Sequence, residues 1–158
     1  MINLDDFRGR IVRPVLAKLV TVIPATPAAE ALVIGTALAE SGLRRLVQQG
    51  GGPALGLYQM EPATHDDIWR SYLAFRPPLR RLVADIGGRA TRRTDDLVWN
   101  LAYATAMARI HYWRAAPPLP GASDLGRQAR YWKRFYNTEA GRGTPEHYVA
   151  AATAAGLG

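Results

Sequence analysis

The sequence predicts a mainly α-helical fold, a single domain over residues 1–158. Three observations carry that expectation. Apolar residues recur at helical spacing through most of the chain, the periodic segments open on capping residues and close on Gly or Pro, and strand-like alternation is almost absent. The length suffices to bury one core without a covalent staple. With no cysteine, the chain has no disulfide, no thiolate metal site and no thiol nucleophile, so the core alone must carry the fold. No internal repeat is visible.

The elements follow in order. Leu4, Phe7, Ile11, Val15, Leu19 and Val20 lie on one helical stripe, so residues 4–20 read as an amphipathic helix with Pro14 as its point of bending. Thr26-Pro27 supplies an N-cap and a first-turn proline for a second helix, which runs to Glu40 or Ser41 before Gly42. Because it is apolar nearly all round, it reads as a buried central helix. Residues 42–63 hold Gly42, Gly50-Gly51-Gly52-Pro53, Gly56 and Pro62, a density of breakers that predicts a glycine-rich ordered loop or a small hairpin. Thr64 to Phe75 reads as helix, with Asp66 and Asp67 in its first turn complementing the dipole, and Pro77-Pro78 ends it. Leu79 to Ile86 makes a short helix stopped by Gly87-Gly88. Thr94-Asp95-Asp96 caps a longer helix that reaches His111 to Arg114 before the break Pro117-Pro118-Leu119-Pro120-Gly121. Asp124 to Phe135 reads as a basic aromatic helix, and Thr144-Pro145-Glu146 caps the last one.

Twenty Lys+Arg, only Lys18 and Lys133 being lysine, stand against thirteen Asp+Glu, a formal net charge of +7 that favours polyanionic partners: DNA, acidic lipid headgroups or anionic cell-wall polymers. An arginine-rich surface also follows from a GC-rich genome, so charge alone selects no partner. The start, Met1 to Arg8, lacks a cationic stretch followed by an apolar one, and no secretory signal peptide is expected. The apolar run 28–39 falls short of the roughly 20 residues that cross a bilayer. No transmembrane segment is expected, and the protein is expected to be soluble when made.

The residue that carries chemistry is Glu40, a lone carboxylate at the end of the apolar run Ala28 to Ala39, followed by Ser41-Gly42 and later by Gly56-Leu57-Tyr58-Gln59-Met60. Burial disfavours the ionised form, so a carboxyl group in that position is a candidate general acid. A merely solvated glutamate is disfavoured at a helix C-terminus, where the dipole calls for Lys or Arg. Tyr58 and Gln59 are candidate substrate contacts from the loop beside it, and simple loop hydrogen-bonders otherwise.

Glu40-Ser41 followed by Gly56-Leu57-Tyr58-Gln59-Met60-Glu61-Pro62-Ala63-Thr64 resembles the Glu-Ser … Gly-Leu-x-Gln-x-x-Pro-x-Thr signature of soluble lytic transglycosylases and goose-type lysozymes. The resemblance implies a lysozyme-like helical domain in which Glu40 is the catalytic acid/base and Ser41, Gly56, Leu57, Tyr58 and Gln59 line a sugar cleft. Asn100 with Tyr103 is similar to the Asn-bearing helix that such enzymes pack beside the cleft. Tyr136-Asn137 is similar to their Ala-Tyr-Asn motif, with Phe135 where the family has Ala. The implied activity is cleavage of the MurNAc-GlcNAc β-1,4 bond of peptidoglycan glycan strands. The phrases Gly51 to Gln59, Thr64 to Trp69 and Tyr131 to Thr138 also resemble small proteins of tailed bacteriophages and prophages. That implies synthesis in a host cytoplasm and action in the periplasm or cell wall, after release or as a virion component beside other phage virion proteins.

Glycoside cleavage needs a proton on the leaving oxygen and something to meet the positive charge at the anomeric carbon. Glu61, Asp66 and Asp67 are candidate second carboxylates, although Asp66 and Asp67 also serve as first-turn acids. With no second carboxylate, the resemblance implies attack by the substrate's own C6 hydroxyl, which leaves an anhydro end. His65, His111 and His147 are scattered, none at metal-ligand spacing, and read as surface or capping histidines; no metal and no cofactor are expected. Trp69, Trp99, Trp113 and Trp132 read as core. The alternative class is a basic helical virion structural or nucleic-acid-binding protein without catalysis. Arg127, Arg130, Lys133 and Arg134 at helical spacings beside Tyr131 and Trp132 carry it, but no nucleic-acid signature accompanies them, and nucleic acid is not an expected partner.

Overall fold

The computed structural model describes residues 1–88, 93–139 and 141–157. Among them are eight helices and no sheet. Helix α1 joins Leu4–Asp6, a π-wound stretch Phe7–Val12 and Arg13–Leu19. Pro14 lacks an N–H, and the preceding amide, that of Arg13, bonds five residues back to the Arg8 carbonyl; the wider turn accommodates the proline inside a continuous helix. Helix α2 is Pro27–Ser41, and α3 joins Pro62–Asp67, a π turn Ile68–Tyr72 and a 3₁₀ turn Leu73–Phe75. The others are α4 Pro77–Gly87, α5 Asp96–Trp99, α6 Leu101–Trp113, α7 (Leu125–Trp132 continuing as a π turn Lys133–Asn137) and α8 Pro145–Ala154.

Helix α2 is the hub. The Thr26 hydroxyl accepts from the Ala29 amide at 3.1 Å, Pro27 takes the first turn, and Gly42 closes the helix in the left-handed conformation at φ 61°. Residues Leu32 to Ala39 are all buried. Val33, Ile34 and Ala37 join one core with Phe7, Leu16 and Leu19 of α1, Leu79 and Val83 of α4 and Met107 and Ile110 of α6. Leu32 and Ala39 join a second, smaller core with Tyr112, Ala129, Trp132, Tyr148 and Ala152, which belong to α6, α7 and α8. A helix buried between two cores has no polar face to present, which is why its sequence is apolar all round.

Three expectations change. The helix expected from Thr64 starts at Pro62, with Glu61 at the cap position, so Asp66 and Asp67 lie in its second turn; proline at the first helical position moved the start. Pro77 opens α4 rather than closing α3, for the same reason. The long helix expected from Thr94 is two helices. Asn100 leaves the helical region (φ −116°, ψ 97°), its side chain accepts from the Tyr103 amide at 2.9 Å, and α6 begins there. Residues 42–61 form a loop with two isolated antiparallel bridges, Val47 to Leu55 and Leu55 to Met60, and no strand.

Candidate active site

Glu40 sits on the last turn of α2, partly buried, and its Oε1 accepts a hydrogen bond from the Trp132 indole at 3.0 Å. Burial pushes the carboxyl up from 4.5 to about 7, because a charge there is poorly solvated. Hydrogen bonding from Trp132 and Asn137 and the positive charges of His147 and Lys133 pull the other way and do not overcome it. The result is a carboxyl group that keeps its proton to a higher pH than an exposed glutamate does, the condition a general acid needs.

Each neighbour is placed by its own element. Trp132 is held in the second core against Tyr148, with ring centroids 5.5 Å apart. Lys133 follows directly, and its ammonium donates to Asn137 Oδ1, one turn on, at 3.0 Å and to the Gly141 carbonyl at 2.8 Å, which fixes the amide of Asn137. Thr144 caps α8, and three residues later His147 bonds through Nε2 to the Ala39 carbonyl at 2.8 Å; since a carbonyl only accepts, Nε2 carries the proton. Tyr136 links the helix end to the loop. Its hydroxyl donates to the Tyr58 carbonyl at 2.8 Å, its ring packs on His111 and Tyr112, and burial together with the nearby Glu40 holds its phenol well above the ordinary value.

The other residues marked from the sequence divide into two groups. Glu40, Tyr136 and the backbone of Tyr58 are brought together. The Tyr58 side chain turns inward, 1% exposed, and shares a 3.0 Å hydrogen bond with Thr105. Leu57 is in the main core, and the Ser41 hydroxyl donates to the Ala37 carbonyl at 3.0 Å, satisfied within its own helix. Gln59 donates to the Gly56 carbonyl at 2.9 Å. Gly56 has φ 73°, and a Cβ there would strike the Leu97 carbonyl oxygen, so only glycine lets the loop lie on α5. Asn100 caps α6 and donates to the Ile86 carbonyl at 3.2 Å.

Of the three further carboxylates, Asp66 and Asp67 are engaged elsewhere. Glu61 is exposed at the start of α3. Asp66 meets His65 Nδ1 at 3.0 Å. Asp67 accepts from Arg114 at 2.7 Å and Ser71 at 2.9 Å, contacts that hold its carboxyl below the usual range. His65 departs from the surface or capping role expected of it: it is fully buried, because Asp66 and the Tyr103 hydroxyl, at 2.7 Å from Nε2, satisfy both ring nitrogens. Trp99, expected in the core, is 78% exposed on the short α5.

Trp132, Lys133, Asn137 and His147 are the site residues that sequence reasoning did not select. Trp132 and Tyr136 are one helical turn apart, and that spacing places both on the face of α7 nearest Glu40. Nothing local marks His147, which arrives from 107 residues downstream of Glu40.

Backbone strain gathers at the same place. Among the described residues, the non-glycine residues with positive φ are Leu43, Gln59 and Thr138, at 53°, 46° and 66°. They follow Glu40-Ser41-Gly42, Tyr58 and Asn137 directly. Such conformations cost roughly 1–3 kcal/mol each and persist where surrounding structure enforces them, which is characteristic of functional sites. Among the described residues no three His, Asp or Glu converge as a metal-binding group. Comparison with protein-family models, with curated proteins and with solved structures gave no match to the chain in any of the three.

Proposed function

We propose that the protein is a peptidoglycan-cleaving glycosidase, a lytic transglycosylase or lysozyme of the lysozyme-like class, with Glu40 as acid and then base. The observation that carries this reading is the carboxyl of Glu40, raised to about 7 by burial at the end of α2 and gripped by Trp132 at 3.0 Å. The resemblance of Glu40-Ser41 and Gly56 to Thr64 to the soluble lytic transglycosylase and goose-type lysozyme signature supplies the substrate class, and the phage-like phrases supply the setting of lysis or virion-associated wall penetration.

In the first step the protonated carboxyl gives its proton to the glycosidic oxygen, the C1–O bond breaks, and the leaving sugar departs as an alcohol. The muramyl C1 is left with oxocarbenium character. Glu61, Asp66 and Asp67 are exposed or tied to His65, Ser71 and Arg114, and the charges acting on Glu40 are the cations Lys133 and His147. This favours attack by the C6 hydroxyl of the same sugar. The hydroxyl oxygen bonds C1, its proton goes to the Glu40 carboxylate, and the enzyme is restored with a 1,6-anhydro muramyl product. Of the cations that support the nucleic-acid alternative, Lys133 is spent on Asn137 and Gly141 and Arg127 on Asp124.

Glu40→Gln keeps the shape and removes the transferable proton. It is expected to lower clearing of a cell-wall suspension by at least about 100-fold with an unchanged circular dichroism spectrum. Clearing at the wild-type rate would overturn the assignment, and mass spectrometry of wild-type digests showing only water-added reducing ends would replace the anhydro route with hydrolysis.

A further inference from the structure

A cleft of about 360 Å³ opens at the C-terminal end of α6, and its walls include Tyr72, Arg76, Arg109, Tyr112, Trp113 and Tyr131. Arg109 is the anomaly in it. The residue is 2% exposed, yet its Nε and Nη1 find no hydrogen-bond partner among the described residues. Its guanidinium lies over the Trp113 ring, 5.5 Å from the centroid, and among the described residues no carboxylate forms an ion pair with it. Buried polar groups are nearly always partnered, and a buried charge without a counter-ion is among the costliest features a fold can hold. A guanidinium stays protonated under such conditions, so the cost is not relieved by losing the proton. Arg76, 3.8 Å above the Tyr72 ring, adds a second cation to the same cleft.

We propose that this cleft is a carboxylate-binding site, in which the charges of Arg109 and Arg76 hold the acid group of a small ligand while Tyr72 and Trp113 pack its apolar part. A carboxylate in the cleft supplies the counter-ion that the buried guanidinium lacks among the described residues, which offsets part of the cost of burying that charge. The volume suits one acidic sugar or a short peptide. The cleft also backs onto the Glu40 site. Tyr112 shares a 2.7 Å hydrogen bond with Thr36, one turn before Glu40 on α2, and Tyr131 immediately precedes Trp132. Only the source of the carboxylate rests on the wall-cleavage reading, under which it belongs to a muramyl lactyl group or its attached peptide.

The test is calorimetric titration of the full chain with N-acetylmuramic acid, N-acetylglucosamine and inorganic phosphate, using wild type, Glu40→Gln, Arg109→Met and Arg109→Lys. N-acetylmuramic acid is expected to bind wild type and Glu40→Gln alike, to lose at least about tenfold in affinity to Arg109→Met, and to lose less to Arg109→Lys, which keeps the charge. Arg109→Met is also expected to melt at a higher temperature than wild type without ligand, because it removes an unpaired buried charge. Equal binding by Arg109→Met, equal binding of N-acetylglucosamine, or binding of phosphate alone would each overturn the carboxylate site. An active Glu40→Gln enzyme would overturn the glycosidase reading and leave this binding result intact.

Discussion

Glu40 shows how one position shifts the ionisation of an ordinary side chain. An exposed glutamate ionises near 4.5; at the end of α2 it does so at about 7, the loss of solvent outweighing two hydrogen-bond donors and two cations. The same displacement makes stability depend on pH. Between those two values the folded chain holds a proton that the unfolded chain releases, so this contribution is fully present below about 4.5 and is lost as pH rises through about 7. Glu40→Gln mimics the protonated form. At about pH 8 it should be more stable than wild type by on the order of 2 kcal/mol, and the difference should vanish near pH 4. Urea unfolding of both proteins at the two pH values measures this, and equal stability at the higher pH would show that the site does not strain the carboxylate.

At the level of elements, the close approach of α8 to α2 holds the site together, because it brings His147 to the Ala39 carbonyl and Tyr148 to the back of Trp132. Gly35 makes that approach possible: a Cβ there would overlap the Tyr148 hydroxyl. Gly35→Ala should therefore cost about 1–3 kcal/mol through forced separation of the two helices, despite alanine's better helix propensity. The loss should shrink in a Tyr148→Leu background, which removes the overlapping hydroxyl and ring. Denaturant melts of the two single variants and the double variant read that coupling, and additive losses would place the strain elsewhere. This contact lay outside what the sequence could reveal. A glycine inside an apolar helix is visible, but which partner needs its missing side chain is not. The short α5 is a similar case, since Asn100 is a good capping residue only where the chain actually turns.

For the molecule as a whole, the net charge of +7 bears, under the proposed wall-cleaving function, on how the protein finds its substrate rather than on the chemistry. Attraction to an anionic wall is screened by salt. Raising NaCl from about 0.05 M to about 0.5 M is expected to slow clearing of intact walls several-fold, while cleavage of a short uncharged chitooligosaccharide should change little. Equal salt responses for the two substrates would show that the charge plays no part in finding the wall.

Helical periodicity, caps and breakers were enough to foretell a mainly α architecture, the buried α2 helix and the placement of Glu40 on its last turn. Those features depend on interactions within a few residues of one another. The sequence also marked Tyr136, through its neighbour Asn137, and the glycine-rich loop. Only the tertiary structure decided what surrounds the carboxyl. Trp132, Asn137 and His147 converge on it from α7 and α8, and Tyr58 offers its backbone while its ring serves the core. A raised carboxyl and an unpaired Arg109 are products of burial, which is a property of the packed molecule: solvent is excluded by residues distant in the chain, and no local spacing records which ones they will be.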